Sequence, residues 1–253
     1  MNNGKLIREG RYGRPKCWKT GAIVSTYPRP LLCFEFDEGG MDVYKESTYI
    51  VRPKDFDTLM TMEKLPCDVV VVDMCDATIR QATEKYEVLA NKEGFSLFTN
   101  CVNTLIKHKG GPFKTVVVDP ITQLNEVILG HFAASNPAAM NDPRKWASSC
   151  GMKVQQTIAV LNQLPCHTVY IMHSMMEKNE LTGTIIEVPM IPGRIRDRVG
   201  GILSQFFYAC KENSKPVIYT SDKGFAKGIG ARWPDNLPNP CGPTYKEIYE
   251  RVG

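Results

Sequence analysis

The sequence GRPKCWKT at residues 13–20 lies one residue away from a phosphate-binding pattern, G-x-x-x-x-G-K-[ST]. The second glycine of that pattern is replaced by Trp18, whose indole must either point outward or obstruct the loop. In such loops, backbone N–H groups and the next helix N-terminus bind phosphate, the lysine reaches the β and γ phosphates, and the hydroxyl ligates magnesium. The predicted nucleotide-binding residues are Gly13, Arg14, Pro15, Lys16, Cys17, Trp18, Lys19, Thr20 and Gly21.

The composition is that of one ordinary globular domain. The 253 residues are 43% hydrophobic and 23% charged, which predicts a single domain with a core at about 8–235 and an extended tail at 236–253. No apolar run is long enough for a membrane helix, and the N-terminus lacks a signal-peptide core, so we expect a cytoplasmic protein without a membrane partner. Nine cysteines without metal-ligand spacing predict reduced thiols, and the net charge of +4 permits nucleic-acid binding without requiring it.

Short apolar runs alternate with segments of helical periodicity along the chain. This alternation predicts an α/β fold with a mainly parallel sheet flanked by helices. The predicted strands are 30–36, 68–74, 114–120, 167–174 and 206–211, and the predicted helices are 20–27, 78–91, 95–108, 121–134 and 145–164. We expect residues 137–144 to form a loop, the region 41–76 to include an addition at the sheet edge, and the proline-rich tail to wrap over the surface without regular structure.

Ligands of open α/β sheets bind beyond the carboxyl ends of the strands, so the polar residues at these ends are the candidates for a site. The run KTVVVDP ends a hydrophobic strand at Asp119, which is the pattern of a carboxylate that holds magnesium through water. A second run, VVVVD, ends at Asp73 and is a rival for this role. Asp119 is preferred because Thr122 and a predicted helix follow it directly, which makes Thr20 and Asp119 the predicted metal residues.

Two further strand ends carry candidate catalytic groups. In CFEFDEGG, Glu38 is the first candidate and Asp37 the second for a general base that orients the attacking water; the alternative is a surface turn with the two glycines. His173 ends the run TVYIMHS and is placed to sense the γ-phosphate, although an isolated histidine also serves as a local hydrogen-bonding group.

A long segment, residues 174–198, follows His173, and we expect it to be a mobile loop that contacts a ligand. Its basic residues are candidates for contacts with nucleic-acid phosphates or form a solvated charge run. The candidate DNA-binding residues are Lys178, Arg194, Arg196 and Arg198.

The order of these motifs resembles the RecA-like phage ATPases of the AAA-domain type, a P-loop NTPase group that includes the single-strand-annealing phage recombinases. The resemblance spans roughly residues 8–235 and rests on order and spacing, because each motif alone is weak. The segments that carry it are GRPKCWKT (13–20), FEFDEGG (34–40), TVVVDPITQL (115–124), RKWASSCGMKVQQTIAVLNQLPCHTVYIMHS (144–174) and IPGRIRDRVGGILSQFFYACK (191–211).

The resemblance implies a RecA-like core that binds ATP and Mg²⁺, oligomerises as a ring or filament on single-stranded DNA, and acts in the host cytoplasm if phage-encoded, with a single-strand-binding protein as a further possible partner. It also implies that Lys227 or Arg232 reaches the nucleotide of a neighbouring subunit, the alternative being a basic hairpin tip. Trp18 departs from the family pattern and bears on hydrolysis more than on fold. Three functions follow: a DNA-dependent ATPase, a nucleotide-binding switch or assembly protein with little hydrolysis, and a structural module with a vestigial loop.

Overall fold

The computed structural model describes residues 5–44, 47–75, 92–136, 143–178, 183–191, 195–233 and 236–250. Within these ranges the strands are β1 Arg8–Gly13, β2 Leu31–Glu35, β3 Thr48–Val51, β4 Val69–Asp73, β5 Thr115–Asp119, β6 His167–Lys178, β7 Ile185–Pro189, β8 Gln205–Glu212, β9 Lys215–Tyr219 and β10 Gly230–Ala231. The α-helices are α1 Lys19–Thr26, α2 Phe56–Met60, α3 Lys92–Lys107, α4 Ile121–Ser135, α5 Pro143–Leu161 and α6 Ile195–Ile202. Short 3₁₀ segments lie at Glu38–Val43 and Pro53–Asp55, and a π-helical turn at Lys246–Glu250.

The strands form a mixed sheet in the order β10-β8-β1-β6-β5-β2-β4-β3. All neighbours from β8 to β3 are parallel, whereas β10 and β9 pair with β8 antiparallel and β7 pairs with β6 antiparallel. Helices α2 to α6 supply the core on one face, and α1 with the C-terminal segment covers the other. This arrangement confirms the predicted α/β fold of the P-loop NTPase type. It also brings the carboxyl ends of the parallel strands to one edge, where the phosphate-binding loop lies.

The central strand β1 was absent from the predicted strands. Its sequence, REGRYG, places Glu9 and Arg11 in the interior, where both side chains are fully buried. The two side chains form an ion pair, and the Arg11 guanidinium also donates to the Tyr27 hydroxyl at 2.6 Å and to the Pro243 carbonyl at 2.8 Å. A buried charge is tolerated when its hydrogen-bonding groups are satisfied in this way. Because β1 has charged residues at interior positions, it lacks the apolar run from which the other strands were predicted.

Most other predicted elements agree with the structure, including the addition at the sheet edge that was predicted for the region 41–76. There, β3 is the edge strand of the sheet and pairs in parallel with β4. The predicted helix 78–91 and most of the predicted loop 137–144 lie outside the described residues.

The prediction of a loop over residues 174–198 is wrong. Strand β6 continues to Lys178 and pairs with β7, from Ser174 opposite Pro189 to Lys178 opposite Ile185, and α6 then begins at Ile195. Three of the four residues at 185–188 are β-branched and favour a strand, and pairing satisfies backbone groups of β6 beyond the edge of the parallel sheet. The segment therefore presents a β-hairpin and a helix, which we call the β6–β7 hairpin and α6.

The prediction that the tail only wraps over the surface is also wrong. Ile248 and Tyr249 in the π-helical turn are buried. The ring of Tyr249 stacks on Trp233 with 5.8 Å between centroids, and its hydroxyl donates to Glu9 at 2.5 Å. The prolines end before residue 244, so they do not prevent a helical turn after them. The C-terminal segment thus completes the core around the buried charges of β1.

Two negative predictions concern the described residues alone. Within those ranges, no helix is both long enough and apolar enough to cross a membrane. All nine cysteines fall in the described ranges, and none of them forms a disulfide there.

Candidate nucleotide-binding site

The loop between β1 and α1 has an unusual backbone conformation. Lys16 and Trp18 have positive φ values of 61° and 68°, and Trp18 is the residue that precedes the first turn of α1. Gly13 begins the loop in close contact with β8, because a Cβ atom at Gly13 would lie 2.0 Å from the carbonyl oxygen of Ala209. The glycine and the left-handed residues allow the chain to turn back sharply into the helix.

Lys19 lies inside this turn and is 6% exposed. Its Nζ donates hydrogen bonds to the carbonyl oxygens of Gly13 and Arg14, both at 2.8 Å. The ammonium group is therefore held within the loop and beside the amide groups at the start of α1, the position from which such a lysine reaches phosphate.

Thr20 and Asp119 are brought into direct contact although they are far apart in sequence. The Thr20 hydroxyl donates to Asp119 Oδ2 at 2.5 Å, and the Asp119 side chain is buried at the end of β5. The rival Asp73 ends β4, which is separated from β5 by β2. The structure thus joins the two predicted metal residues and leaves Asp73 further from the loop.

Glu35 is a carboxylate of the site that the sequence analysis did not single out. It ends β2, is fully buried, and stands in register with Asp119 on one side and Asp73 on the other. Its carboxylate accepts the Asp37 amide at 2.9 Å and the Tyr44 hydroxyl at 2.8 Å. The only sequence signal was one acidic letter inside the apolar run LLCFEF, which is weak evidence by itself.

Burial raises the pKa of both buried carboxyl groups, Glu35 and Asp119. Burial, reinforced by the charge of Asp119, raises the pKa of Glu35 to about 9. Burial also raises the pKa of Asp119 to about 6, against the hydrogen bond from Thr20 and the charge of Lys19, which lower it. At neutral pH Glu35 is therefore protonated, whereas Asp119 is ionised and interacts with the charge of Lys19.

These features fit a magnesium ion that is bound together with phosphate. Thr20 and Asp119 offer hard oxygen ligands, and a divalent cation would favour the ionised form of the buried Asp119 carboxylate. Among the residues that the structure describes, no three His, Cys, Asp or Glu side chains converge as a complete metal site. Mg²⁺ commonly takes one or two protein ligands and completes its shell with phosphate oxygens and water.

The remaining candidate catalytic groups lie next to these carboxylates. His173 Nε2 is 3.8 Å from Asp37 Oδ2, and the His173 backbone N–H donates to the Thr122 hydroxyl at 3.0 Å. Burial, together with the charge of Lys19, lowers the pKa of His173. Glu38 begins the 3₁₀ segment, but its side chain lies outside the described part of the structure. Asp37 and His173 are therefore the described pair that faces the loop.

These groups line one cavity of about 280 Å³, which we call the phosphate cavity. It is lined by Pro15, Lys16, Cys17, Trp18, Lys19, Thr20, Gly21, Glu35, Asp37, Gly39, Gly40, Val43, Asp119, Ile171 and His173. The cavity brings most of the predicted loop residues to the predicted strand ends.

A second, larger cavity of about 520 Å³ borders the other side of the loop. Its wall contains Glu187 on β7, a buried carboxylate that binds three elements of the fold. Glu187 accepts hydrogen bonds from Arg14 Nε at 2.9 Å, from the Ser174 hydroxyl at 2.7 Å and from the Tyr208 hydroxyl at 2.5 Å. Glu187 belongs to none of the sequence motifs, and it ties the loop to the β6–β7 hairpin.

The three candidate DNA-binding residues that the structure describes do not line the phosphate cavity. Arg196 on α6 forms an ion pair with Glu177 at 2.5 Å, Arg198 and Lys178 are exposed, and Arg194 is outside the described residues. In a helix, residues two positions apart point in different directions, so Arg196 and Arg198 do not form one stripe.

Lys227 and Arg232, the two candidates for reaching the nucleotide of a neighbouring subunit, are also outside the phosphate cavity of their own chain. The Lys227 side chain is exposed and its carbonyl accepts the Tyr12 hydroxyl at 3.0 Å. The Arg232 guanidinium donates to the Gly201 carbonyl at 2.6 Å. A role in the nucleotide site thus requires a second subunit.

Comparison with known proteins gives one result. The protein-family profile described as "AAA domain" matches residues 10–228, which include the loop, Asp119 and His173. No match was found among curated proteins. The profile covers most of the chain and agrees with the sheet order and the position of the loop. The chain therefore belongs to the AAA domain family, which implies a nucleotide-binding ATPase domain of the P-loop class.

Proposed function

We propose that the protein is a magnesium-dependent ATPase that acts on single-stranded DNA in annealing or recombination. The observation that carries the ATPase proposal is the contact between Thr20 and Asp119 at 2.5 Å beside the buried Lys19. A phosphate-binding loop and a metal-binding carboxylate are the two parts that phosphoryl transfer from ATP requires in one place.

Each described group has a role that follows from its position. Lys19 and the first amide groups of α1 bind the phosphate oxygens and offset their charge as the bond to the terminal phosphate breaks. Mg²⁺, when bound at Thr20 and Asp119, supplies positive charge to the β and γ phosphates. Glu35 pairs with Asp119, and the hydrogen bonds that it accepts from the Asp37 amide and the Tyr44 hydroxyl hold the segment 37–44 at the end of β2.

The attacking water requires a base that solvent can reach. The Asp37 side chain is 41% exposed and lies beside His173, whereas Glu35 is fully buried. Asp37 is thus better placed than Glu35 to orient water, and Glu38, the first candidate from the sequence, remains a candidate beside it. His173 lies within β6, between β1 and β5, and in this proposal it senses the terminal phosphate.

The DNA-dependent part of the proposal is supported by the resemblance to single-strand-annealing phage recombinases and by the β6–β7 hairpin next to the loop. Through Glu187, this hairpin contacts Arg14 of the loop, so a ligand on the hairpin would act on the nucleotide site. The same resemblance supports a ring or filament in which Lys227 or Arg232 reaches a neighbouring nucleotide, and a single-strand-binding protein as partner.

ATP hydrolysis with and without single-stranded DNA tests the proposal. We expect turnover that depends on magnesium, rises with DNA at low salt and disappears in Lys19→Ala. Lys107→Ala removes an exposed lysine at the end of α3, outside the phosphate cavity, and is the matched control. Turnover that is equal in the Lys19→Ala protein would refute the ATPase, and turnover indifferent to DNA would refute the DNA-dependent part alone.

A second candidate function is a nucleotide-binding switch or assembly protein that hydrolyses ATP very slowly. Trp18 favours this alternative because it stands where the phosphate-binding pattern has glycine. Binding of Mg²⁺-ATP by calorimetry without turnover would support the switch. Absence of both binding and turnover would favour the third possibility, a structural module with a vestigial loop.

A further inference from the structure

Trp18 adopts a backbone conformation that its side chain makes unfavourable. Its φ of 68° and ψ of 28° lie in the left-handed region, which is unfavourable for a residue with a Cβ atom and is readily adopted by glycine. The phosphate-binding pattern has glycine at this position. A bulky side chain that persists in a strained position of a ligand site suggests that the side chain itself has a function.

The indole is packed on Gly21, two residues into α1. A Cβ atom at Gly21 would lie 2.4 Å from Nε1 of Trp18 and 2.6 Å from its Cδ1, so only glycine leaves room for the ring there. The first hydrogen bond of the helix runs from the Ala22 amide to the Trp18 carbonyl at 3.1 Å. The amides of Lys19, Thr20 and Gly21 therefore precede the helical pattern and are the groups that bind phosphate. The ring lies beside them.

The ring is also available to a ligand. Trp18 is 44% exposed and lines the cavity that contains Thr20 and Asp119. Lys19 and Thr20 make their hydrogen bonds to Gly13, Arg14 and Asp119, so the polar groups for phosphate and metal are assembled without the indole. The indole supplies an apolar, aromatic surface at the edge of this polar site.

We propose that Trp18 is the nucleoside-binding surface of the site and that its indole stacks on the base of a bound nucleoside triphosphate. This inference rests on the proposed nucleotide binding and adds to it how the base is recognised. Stacking is favourable for any base because each has a π-face, and it is strongest with the large ring of a purine. The pair of Trp18 and Gly21 would then replace the usual glycine with a base platform.

The test compares Mg²⁺-ATP with Mg²⁺-tripolyphosphate, which has the phosphate chain but no nucleoside. Calorimetric titration is performed on the wild-type protein and on Trp18→Gly and Trp18→Phe. Glycine adopts the left-handed conformation without cost, so Trp18→Gly is expected to fold at least as stably as the wild type. Thermal unfolding of each variant checks this.

We expect Trp18→Gly to weaken ATP binding about 10-fold or more, as found when an aromatic stacking partner of a base is removed, and to change tripolyphosphate binding less than about 2-fold. Trp18→Phe keeps a ring and should retain most of the affinity for ATP. An equal change for both ligands would overturn the inference, since the indole would then act on the phosphates alone. Tighter binding of ATP by Trp18→Gly would overturn it by showing that the indole obstructs the site.

The proposed nucleotide binding fails in a different way. If the wild-type protein binds neither ATP nor tripolyphosphate, both the nucleotide site and the stacking surface are refuted. If both ligands bind and their affinity ratio is the same in all three proteins, only the stacking surface is refuted.

Discussion

Replacement of Asp119 by asparagine should stabilise the protein without ligand and abolish much of its stabilisation by Mg²⁺-ATP. The two effects have opposite signs because the carboxylate is unfavourable for folding and favourable for metal binding. Asp119 is buried, hydrogen-bonded to Thr20, and in register with the second buried carboxylate, Glu35. The asparagine side chain has nearly the same shape and keeps an oxygen that accepts the Thr20 hydroxyl.

The magnitude follows from the pKa of Asp119, which burial raises from 3.8 to about 6. An acid with a higher pKa in the folded state loses stability as the pH rises from the unfolded to the folded value, and the loss persists at neutral pH. A difference of this size corresponds to about 3 kcal/mol. The buried amide group of asparagine forms weaker hydrogen bonds, which costs about 1 kcal/mol. The net gain of about 2 kcal/mol should raise the Tm by about 4–8 °C for a domain of this size.

Thermal unfolding at pH 7.5, with EDTA and with saturating Mg²⁺-ATP, measures both effects. A ligand at about 100 times its Kd stabilises the wild type by about 2.7 kcal/mol, and the Asp119→Asn protein should gain far less. Asp73→Asn is the matched control, because Asp73 ends the neighbouring strand β4 and flanks Glu35 from the other side. A lower Tm of Asp119→Asn in EDTA would refute the electrostatic reasoning, and a full Mg²⁺-ATP shift would refute the metal assignment.

Two further predictions concern stability. Gly13→Ala places a Cβ atom 2.0 Å from the backbone oxygen of Ala209 in the sheet, so we expect the free energy of unfolding in urea to fall by about 3 kcal/mol or more. Gly201→Ala is the control, because its Cβ atom would meet no atom within 4 Å. Equal stability of the two variants would contradict this prediction. His167 Nδ1 accepts a hydrogen bond from the Ile7 amide at 3.0 Å, and burial lowers the pKa of His167 to about 4. Protonation of His167 therefore favours the unfolded state, and the free energy of unfolding falls as the pH drops from about 6.5 towards 4. Between pH 7 and pH 5 the wild type should lose about 1–2 kcal/mol more than His167→Asn, which keeps an acceptor, and an identical loss in both proteins would disprove the assignment.

The elements that the sequence predicted correctly share one property, a local apolar pattern that is either continuous, as in the strands, or periodic, as in the helices. The runs that became β2, β4 and β5 are continuous and apolar because parallel strands are covered on both faces. Strand β1 has no such run, since its interior positions carry Glu9 and Arg11 and are satisfied by partners far along the chain. The β6–β7 hairpin was missed because its pairing is a contact between strands and leaves no local pattern.

The candidate site divides in the same way. Lys19 and Thr20 follow from the short pattern of the loop, because their chemistry depends on neighbours in sequence. Asp119 and Asp73 both end apolar runs of similar sequence, and the sheet order distinguishes them because β2 lies between β4 and β5. Glu187 gives no signal in sequence, since its three hydrogen-bond donors come from three different elements.

By itself, the sequence determined the alternation of strands and helices, the phosphate-binding loop and the acidic ends of the strands. These are local properties, governed by hydrophobic period and by the few residues that a tight loop accepts. Only the tertiary structure decided which carboxylates share the cavity, which charges are buried in pairs, and that the indole of Trp18 rests on Gly21 at the edge of the site. Those outcomes depend on distances between residues remote in sequence, and the order and register of the sheet set these distances.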